Sequence, residues 1–230
     1  MASPRRAGDN RRMATLDDII AAAAKVFRTK GYHAATVRDI AEEVGILKGS
    51  LYHHFESKEA LLYLVVKEPI AQMYRTIIEI ADADISPTEK LRRALVAHLE
   101  AFDRHYPHFS VYLRERESVK RRFREMIGFS PKEYERCWQR ILQEGVYQGE
   151  FRADLDIQVA SYGLLGTLNW LYKWYDPNGR LSVHEVAEQF TGIVLGGLEA
   201  DGSVAKSAKR RPPRPAAEPP HAIDNPLPRA

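Results

Sequence analysis

Between Thr36 and Lys58 the chain reads TVRDIAEEVGILKGSLYHHFESK, and the run Lys48-Gly49-Ser50-Leu51-Tyr52-His53 gathers a cation, a hydroxyl, a phenol and an imidazole around one glycine. Their tips donate and accept hydrogen bonds. Gly49 weakens a helix, yet it removes a side chain where another body must come close. A helix laid in the major groove of DNA needs this combination, with Lys48, Gly49, Ser50, Tyr52 and His53 toward the bases or backbone. Thr36 and Lys58 each stand at a helix start, where backbone dipoles and a lysine suit a phosphate.

Two short helices with a fixed turn would position that set. Val37, Ile40, Ala41 and Val44 fall at i, i+3, i+4 and i+7, one helical face. Thr36 is the expected N-cap, with Asp39 as the reciprocal residue of a capping box. Gly45 ends the helix, since glycine takes the left-handed conformation at little steric cost. The second helix is expected to start between Ile46 and Lys48, with Leu47, Leu51 and Phe55 as its buried stripe. Leu16 to Lys30, apolar at Ile19, Ile20, Ala23, Ala24, Val26 and Phe27, supplies the helix on which both pack.

Thr36, Ile40-Ala41, Gly45, the run Gly49-Ser50-Leu51-Tyr52-His53-His54-Phe55 and Ser57-Lys58-Glu59 together resemble the signature of the TetR family of bacterial transcriptional regulators. Leu47 departs from it, because the family often has Ser or a similar capping residue there. The resemblance implies an all-α protein: a three-helix, helix-turn-helix DNA-binding domain followed by a larger helical domain for ligand binding and dimerisation. It implies a homodimer on a palindromic operator in double-stranded DNA, released by a small effector.

Charge by itself does not advertise DNA binding. The net charge of +3 comes from the ends, since residues 13–67 hold seven basic and seven acidic side chains. Residues 1–12 carry four arginines, and fit either a minor-groove arm or a solubilising tail. Residues 201–230 are rich in proline and basic groups with almost nothing to bury, as expected of a disordered tail. The domain limits that follow are 1–12 for the arm, 13–58 for the DNA-binding domain, 59–200 for the effector and dimerisation domain, and 201–230 for the tail. The one cysteine, Cys137, leaves no internal disulfide or cysteine-rich metal site, and no stretch reads as a membrane span or signal peptide. A cytoplasmic protein without cofactor is expected.

Ser57 should cap a fourth helix that Pro69 bends or breaks near Lys67. Ser86-Pro87-Thr88-Glu89, Ser130-Pro131-Lys132-Glu133 and Ser182-Val183-His184-Glu185 read as further capping boxes that start helices over 88–105, 132–148 and 183–199, with another helix expected over 154–175. Between Ile157 and Tyr172 apolar side chains occur on every face, so the last two helices are expected to form a four-helix interface with a second copy.

The larger domain concentrates aromatic side chains with few polar ones, the composition of a small-molecule site. Phe102, His105, Tyr106, Phe109, Trp138, Tyr162, Asn169, Trp170 and Lys173 are the candidates for it. Arg116 belongs to a basic run through Arg124 that suits a phosphorylated head group, although interleaved glutamates also fit a solvated face. Residues 168–179 and 193–198 resemble the FadR-like TetR repressors of fatty-acid and sterol catabolism, which respond to acyl-coenzyme A. An efflux regulator responding to a drug-like or aromatic ligand is the alternative. An acyl-coenzyme A-processing enzyme using Asp103 and His105 is a more distant one, since the chain has neither a G-x-S-x-G turn nor an H-E-x-x-H pair.

Overall fold

The computed structural model describes residues 14–115, 128 and 130–198, and every element of more than one residue among them is helical. Helix α1, Leu16–Lys30, starts from a full capping box between Thr15 and Asp18. Helix α2, Val37–Val44, starts from the box of Thr36 and Asp39 and ends at Gly45, whose φ of 80° is left-handed. Helix α3 is a single turn, Lys48–Leu51. Ile19, Ala23, Phe27, Ile40 and Leu51 lie at 0–1% exposure and form the small core these three share.

Helix α4, Lys58–Asp82, is continuous over 25 residues and capped by Ser57. Of the bend or break expected near Lys67, the break does not occur: Pro69 lies inside the helix. Proline removes the N–H that would bond the carbonyl of Val65, but apolar side chains on both sides of it, from Leu61 to Ile77, are buried in the same core. That burial outweighs one lost hydrogen bond.

Helices α5, Pro87–Arg104, and α7, Pro131–Tyr147, begin at the serine caps read from the sequence. Between them lies a helix the sequence did not reveal, α6, Tyr106–Arg114. Pro107 sits in its first turn, where a missing N–H costs nothing, so the proline begins a helix rather than following one. The helix expected over 154–175 is two: α8, Ile157–Asn169, capped by Asp156, and α9, Leu171–Trp174. Trp170 separates them, its N–H shared between the carbonyls of Gly166 and Thr167 at 3.0 and 3.3 Å. Helix α10, Val183–Leu198, follows the Ser182–Glu185 box.

The helices pack α1 against α2, α4 and α6; α4 against α5, α6 and α7; α5 against α7 and α10; and α7 against α8. At the far end from α1, the Lys90 ammonium donates to Glu144 at 2.7 Å while the Thr88 N–H donates to Glu150 at 2.8 Å, so the start of α5 is fixed to the end of α7. Gly145 lets Phe151 fold back there. A β-carbon at Gly145 would stand 2.0 Å from the Phe151 ring, which is 1% exposed. Gly145→Ala is therefore expected to lower stability by roughly 1–3 kcal/mol through overpacking, read as a lower urea midpoint.

Candidate nucleic-acid interface and effector cavity

The edge formed by α3 and the turn after it is held by two buried side chains, Leu51 at 0% and Phe55 at 5% exposure. Lys48, Gly49, Ser50, Tyr52, His53 and His54 are all exposed along it. Beyond its own helix backbone and chain neighbours, no atom of the described residues comes within 4 Å of a β-carbon built on Gly49. Leu47, expected in the buried stripe, is instead 75% exposed. It is the N-cap, with extended backbone at φ −71° and ψ 140°, so helical spacing does not reach back to it. After Leu51 the chain continues by hydrogen bonds three residues apart, His53 N–H to the Ser50 carbonyl at 3.4 Å and His54 N–H to that of Leu51 at 2.9 Å.

The two expected phosphate holders are otherwise engaged. Thr36 donates its hydroxyl and its N–H to Asp39 Oδ2, each at 2.8 Å. Asp39 also receives Lys30 Nζ at 2.7 Å, and this bond, with those from Thr36, holds its pKa down at about 2. The Thr36 proton is thus spent inside the capping box. Lys58 corrects the expectation outright: Nζ donates to the carbonyls of Tyr32 and Ala35 at 2.9 Å and His33 at 3.3 Å, and lies 4.6 Å from the centre of the Tyr32 ring. The α1–α2 loop offers unpaired carbonyls within reach of the ammonium, and they take all three of its protons.

The aromatic residues of the larger domain divide into three places. Phe102, Tyr106 and Phe109 pack on one another and on Tyr175, with ring centres 5.6–6.1 Å apart. Phe102 at 0% and Phe109 at 2% exposure are closed core rather than cavity wall, contrary to expectation. Tyr175 also donates to Asp103 at 2.5 Å, so the carboxylate considered for catalysis with His105 braces a tyrosine.

A cavity of about 300 Å³ lies between α4, α6, α7 and α8. Met73 and Tyr74 come from α4, Tyr112 and Leu113 from α6, Pro131, Tyr134 and Glu135 from α7, and Tyr162, Leu165, Gly166 and Asn169 from α8. Of the expected effector residues, Tyr162 and Asn169 line it. Trp138, 0% exposed, stands behind its wall: Tyr74 and Tyr134 stack at 4.1 Å, Tyr134 meets Trp138 edge-on at 6.1 Å, and His98 Nδ1 lies 2.8 Å from the Tyr134 hydroxyl. Tyr134 was missed, although it stands four residues before Trp138 on one face of α7. Tyr74 and Met73 gave no sequence signal apart from the rest of α4.

Trp170 and Lys173 are elsewhere. Trp170 is 57% exposed and lines a shallow depression with Gly163, Trp174 and Phe190, while Lys173 Nζ lies 5.0 Å over Tyr172. The break at Trp170 turned both away from the cavity. His105 lines a separate groove of about 190 Å³ between α4 and α5, and burial together with Arg104 lowers its pKa. Arg116 and the basic run after it lie outside the described residues, as do the arm and the tail. No described group of three or more His, Cys, Asp or Glu could hold a metal, and no described helix is long and apolar enough to cross a membrane.

Residues 19–64 match the family model of bacterial regulatory proteins, tetR family, and residues 84–198 match the tetracyclin repressor-like C-terminal domain. The chain belongs to the TetR family of bacterial transcriptional regulators. Among relatives, the HTH-type transcriptional repressor KstR2 of Mycolicibacterium smegmatis is 38% identical over 185 residues, 79% of this chain and 89% of that one. The fatty acid metabolism regulator protein of Bacillus subtilis is 28% identical over 66% of this chain and 78% of its own. The solved structure of the ketosteroid transcriptional regulator KstR2 of Mycobacterium tuberculosis superposes with a TM-score of 0.77 at 32% identity, covering 83% of this chain and 98% of that one. This TetR-family protein is thus a transcriptional repressor related to regulators of steroid and fatty-acid metabolism, and not an enzyme. The exposed α3 edge falls within residues 19–64, and all of the cavity lining except Met73 and Tyr74 falls within residues 84–198.

Behind that cavity, burial lowers the pKa of His98 to about 4, against ~6.5 in the unfolded chain. Protons therefore favour the unfolded chain as pH drops through 6.5, and the stability lost by pH 4 amounts to about 3 kcal/mol for this one group. Melting temperature is expected to fall as pH is lowered from 6.5 to 4, and to fall less steeply in His98→Phe.

Proposed function

We propose that this chain acts in the cytoplasm as a homodimeric repressor of lipid or steroid catabolism, held on a palindromic operator until a coenzyme A thioester of a hydrophobic acid binds its larger domain. The observation that carries the reading is that one cavity touches both helices on which the DNA-binding module rests. Tyr74 of α4 and Tyr112 of α6 line it, and α4 and α6 both pack on α1. At that junction Arg114 Nη1 donates to the Arg28 carbonyl at 2.8 Å, and the Arg28 guanidinium lies 5.2 Å from the centre of the Tyr106 ring. A ligand that separates α4 from α6 shifts α1, and with it the spacing of two recognition edges in a dimer. It does so only by binding the released arrangement more tightly than the DNA-bound one.

The relatives named for steroid and fatty-acid regulation support a hydrophobic acid as the ligand. Cavity size supports a carrier outside it: about 300 Å³ is at the low end for ligand sites, room for an acyl portion but not for a whole coenzyme A thioester. On the DNA side, Lys48, Ser50, Tyr52 and His53 are the contacts offered, with Gly49 allowing close approach. For dimerisation, Val159, Trp170, Trp174 and Ile193 are 48–74% exposed along α8, α9 and α10 and the residue between α8 and α9, an apolar surface that a second copy would cover.

Lys48→Ala and Tyr52→Ala are each expected to weaken binding to an operator fragment from the DNA flanking the gene by about tenfold at fixed salt, with melting temperature unchanged. Unaltered gel-shift affinity in both would remove α3 from the interface. Ile193→Glu is expected to sediment as a monomer and to lose operator binding, whereas a dimer that persists would place the interface elsewhere.

A further inference from the structure

The tyrosine cavity opens beside a second, polar groove between the first turns of α7 and α8. Glu135 and Tyr162 wall both spaces, and Pro131 of the cavity is followed directly by Lys132 of the groove. Tyr162 is the threshold. It is 52% exposed, and its hydroxyl accepts a hydrogen bond from Gln158 Nε2 at 3.0 Å, which fixes the ring between the two compartments.

The groove, of about 450 Å³, is lined by Lys132 and Arg136, four residues apart on one face of α7. Both side chains are exposed, and among the described residues neither joins an ion pair. Their basic neighbours differ: Arg140 pairs with Asp82 at 2.6 Å, Arg152 with Asp154 at 2.8 Å and Lys90 with Glu144 at 2.7 Å. The one carboxylate on the groove, Glu135, accepts from Gln139 Nε2 at 2.8 Å, and Gln139 reaches on to Ser161 Oγ at 3.3 Å. The carboxylate is therefore turned along its own helix. Two cations against one engaged anion leave the groove positive, next to an opening that accepts apolar groups.

We propose that this groove seats the phosphorylated end of the effector, with Lys132 and Arg136 on its phosphates and the acyl portion passing Tyr162 into the cavity. The proposal rests on the reading of the effector as a coenzyme A thioester. It assigns the head group to α7 rather than to the basic run from Arg116 through Arg124. Arginine and lysine at this spacing suit a pyrophosphate, one by a bidentate contact and the other as a point charge.

The test is titration of the full chain with octanoyl-, palmitoyl- and cyclohexanecarboxyl-coenzyme A, followed by tryptophan fluorescence, with the matching free acids alongside. For the tightest thioester, Lys132→Glu with Arg136→Glu is expected to raise Kd by about tenfold or more. The free acid should bind this double variant as it binds the wild type. Equal charge reversal at Arg92 and Arg93, which line neither space, should leave both unchanged. Thermal melting checks the fold, and Lys132→Gln with Arg136→Gln repeats the test without introduced acid. Thioester affinity that survives both double variants, or falls equally in the Arg92 and Arg93 control, overturns the head-group assignment while the effector reading stands. If no thioester binds the wild type, the effector reading itself falls and this assignment with it.

Discussion

The ammonium of Lys58, surrounded by the carbonyls of Tyr32, His33 and Ala35, joins the first turn of α4 to the loop between α1 and α2. Much of the architecture depends on that attachment. Helix α4 runs unbroken to Asp82 with buried side chains along most of its length, so it belongs at once to the small core around Phe27 and Ile40 and to the larger one around Leu95 and Trp138. An ammonium at three carbonyls exchanges hydration for bonds that are individually modest but geometrically exacting. Those three bonds tie α4 to the loop that joins α1 and α2.

Helix starts were the most legible feature of the sequence, because a cap is a local device. Ser57, Ser86, Ser130 and Ser182 each accept the N–H three residues on, and Thr36 and Asp39 satisfy each other reciprocally. Gly45 likewise announces a left-handed residue. Features decided by partners distant in sequence were not legible. Pro69 and Pro107 are the same residue type, yet one is carried through a helix by the core and the other opens a helix after a corner at His105. Leu47 obeys the four-residue rhythm of Leu51 and Phe55 but lies one step outside the helix that would enforce it. For Lys58 the chemistry was right and the recipient wrong, since a lysine suited to phosphate oxygens is equally suited to carbonyl oxygens already at hand.

The candidate effector site shows the same division. Aromatic composition pointed to the larger domain, and two of the residues named for the site, Tyr162 and Asn169, do line its cavity. Composition does not say which rings face one another. Phe102 and Phe109 close a core with Tyr175, while Tyr74, from an element read chiefly for its proline, stacks on Tyr134 to form the wall. A kink between α8 and α9 that no residue type signals sends Trp170 outward. The resulting domain holds three aromatic surfaces, one sealed, one hollow and one facing outward, that meet at Tyr162 and at the Trp174–Tyr175 contact.

Gly49 has a consequence that reaches past the fold. A β-carbon there would meet empty space, and alanine would favour the short turn of α3 by up to about 1 kcal/mol. Nothing among the described residues requires that position to stay bare. If this edge meets DNA as proposed, that open space is the clearance left for it, and a single methyl group would be enough to take it up.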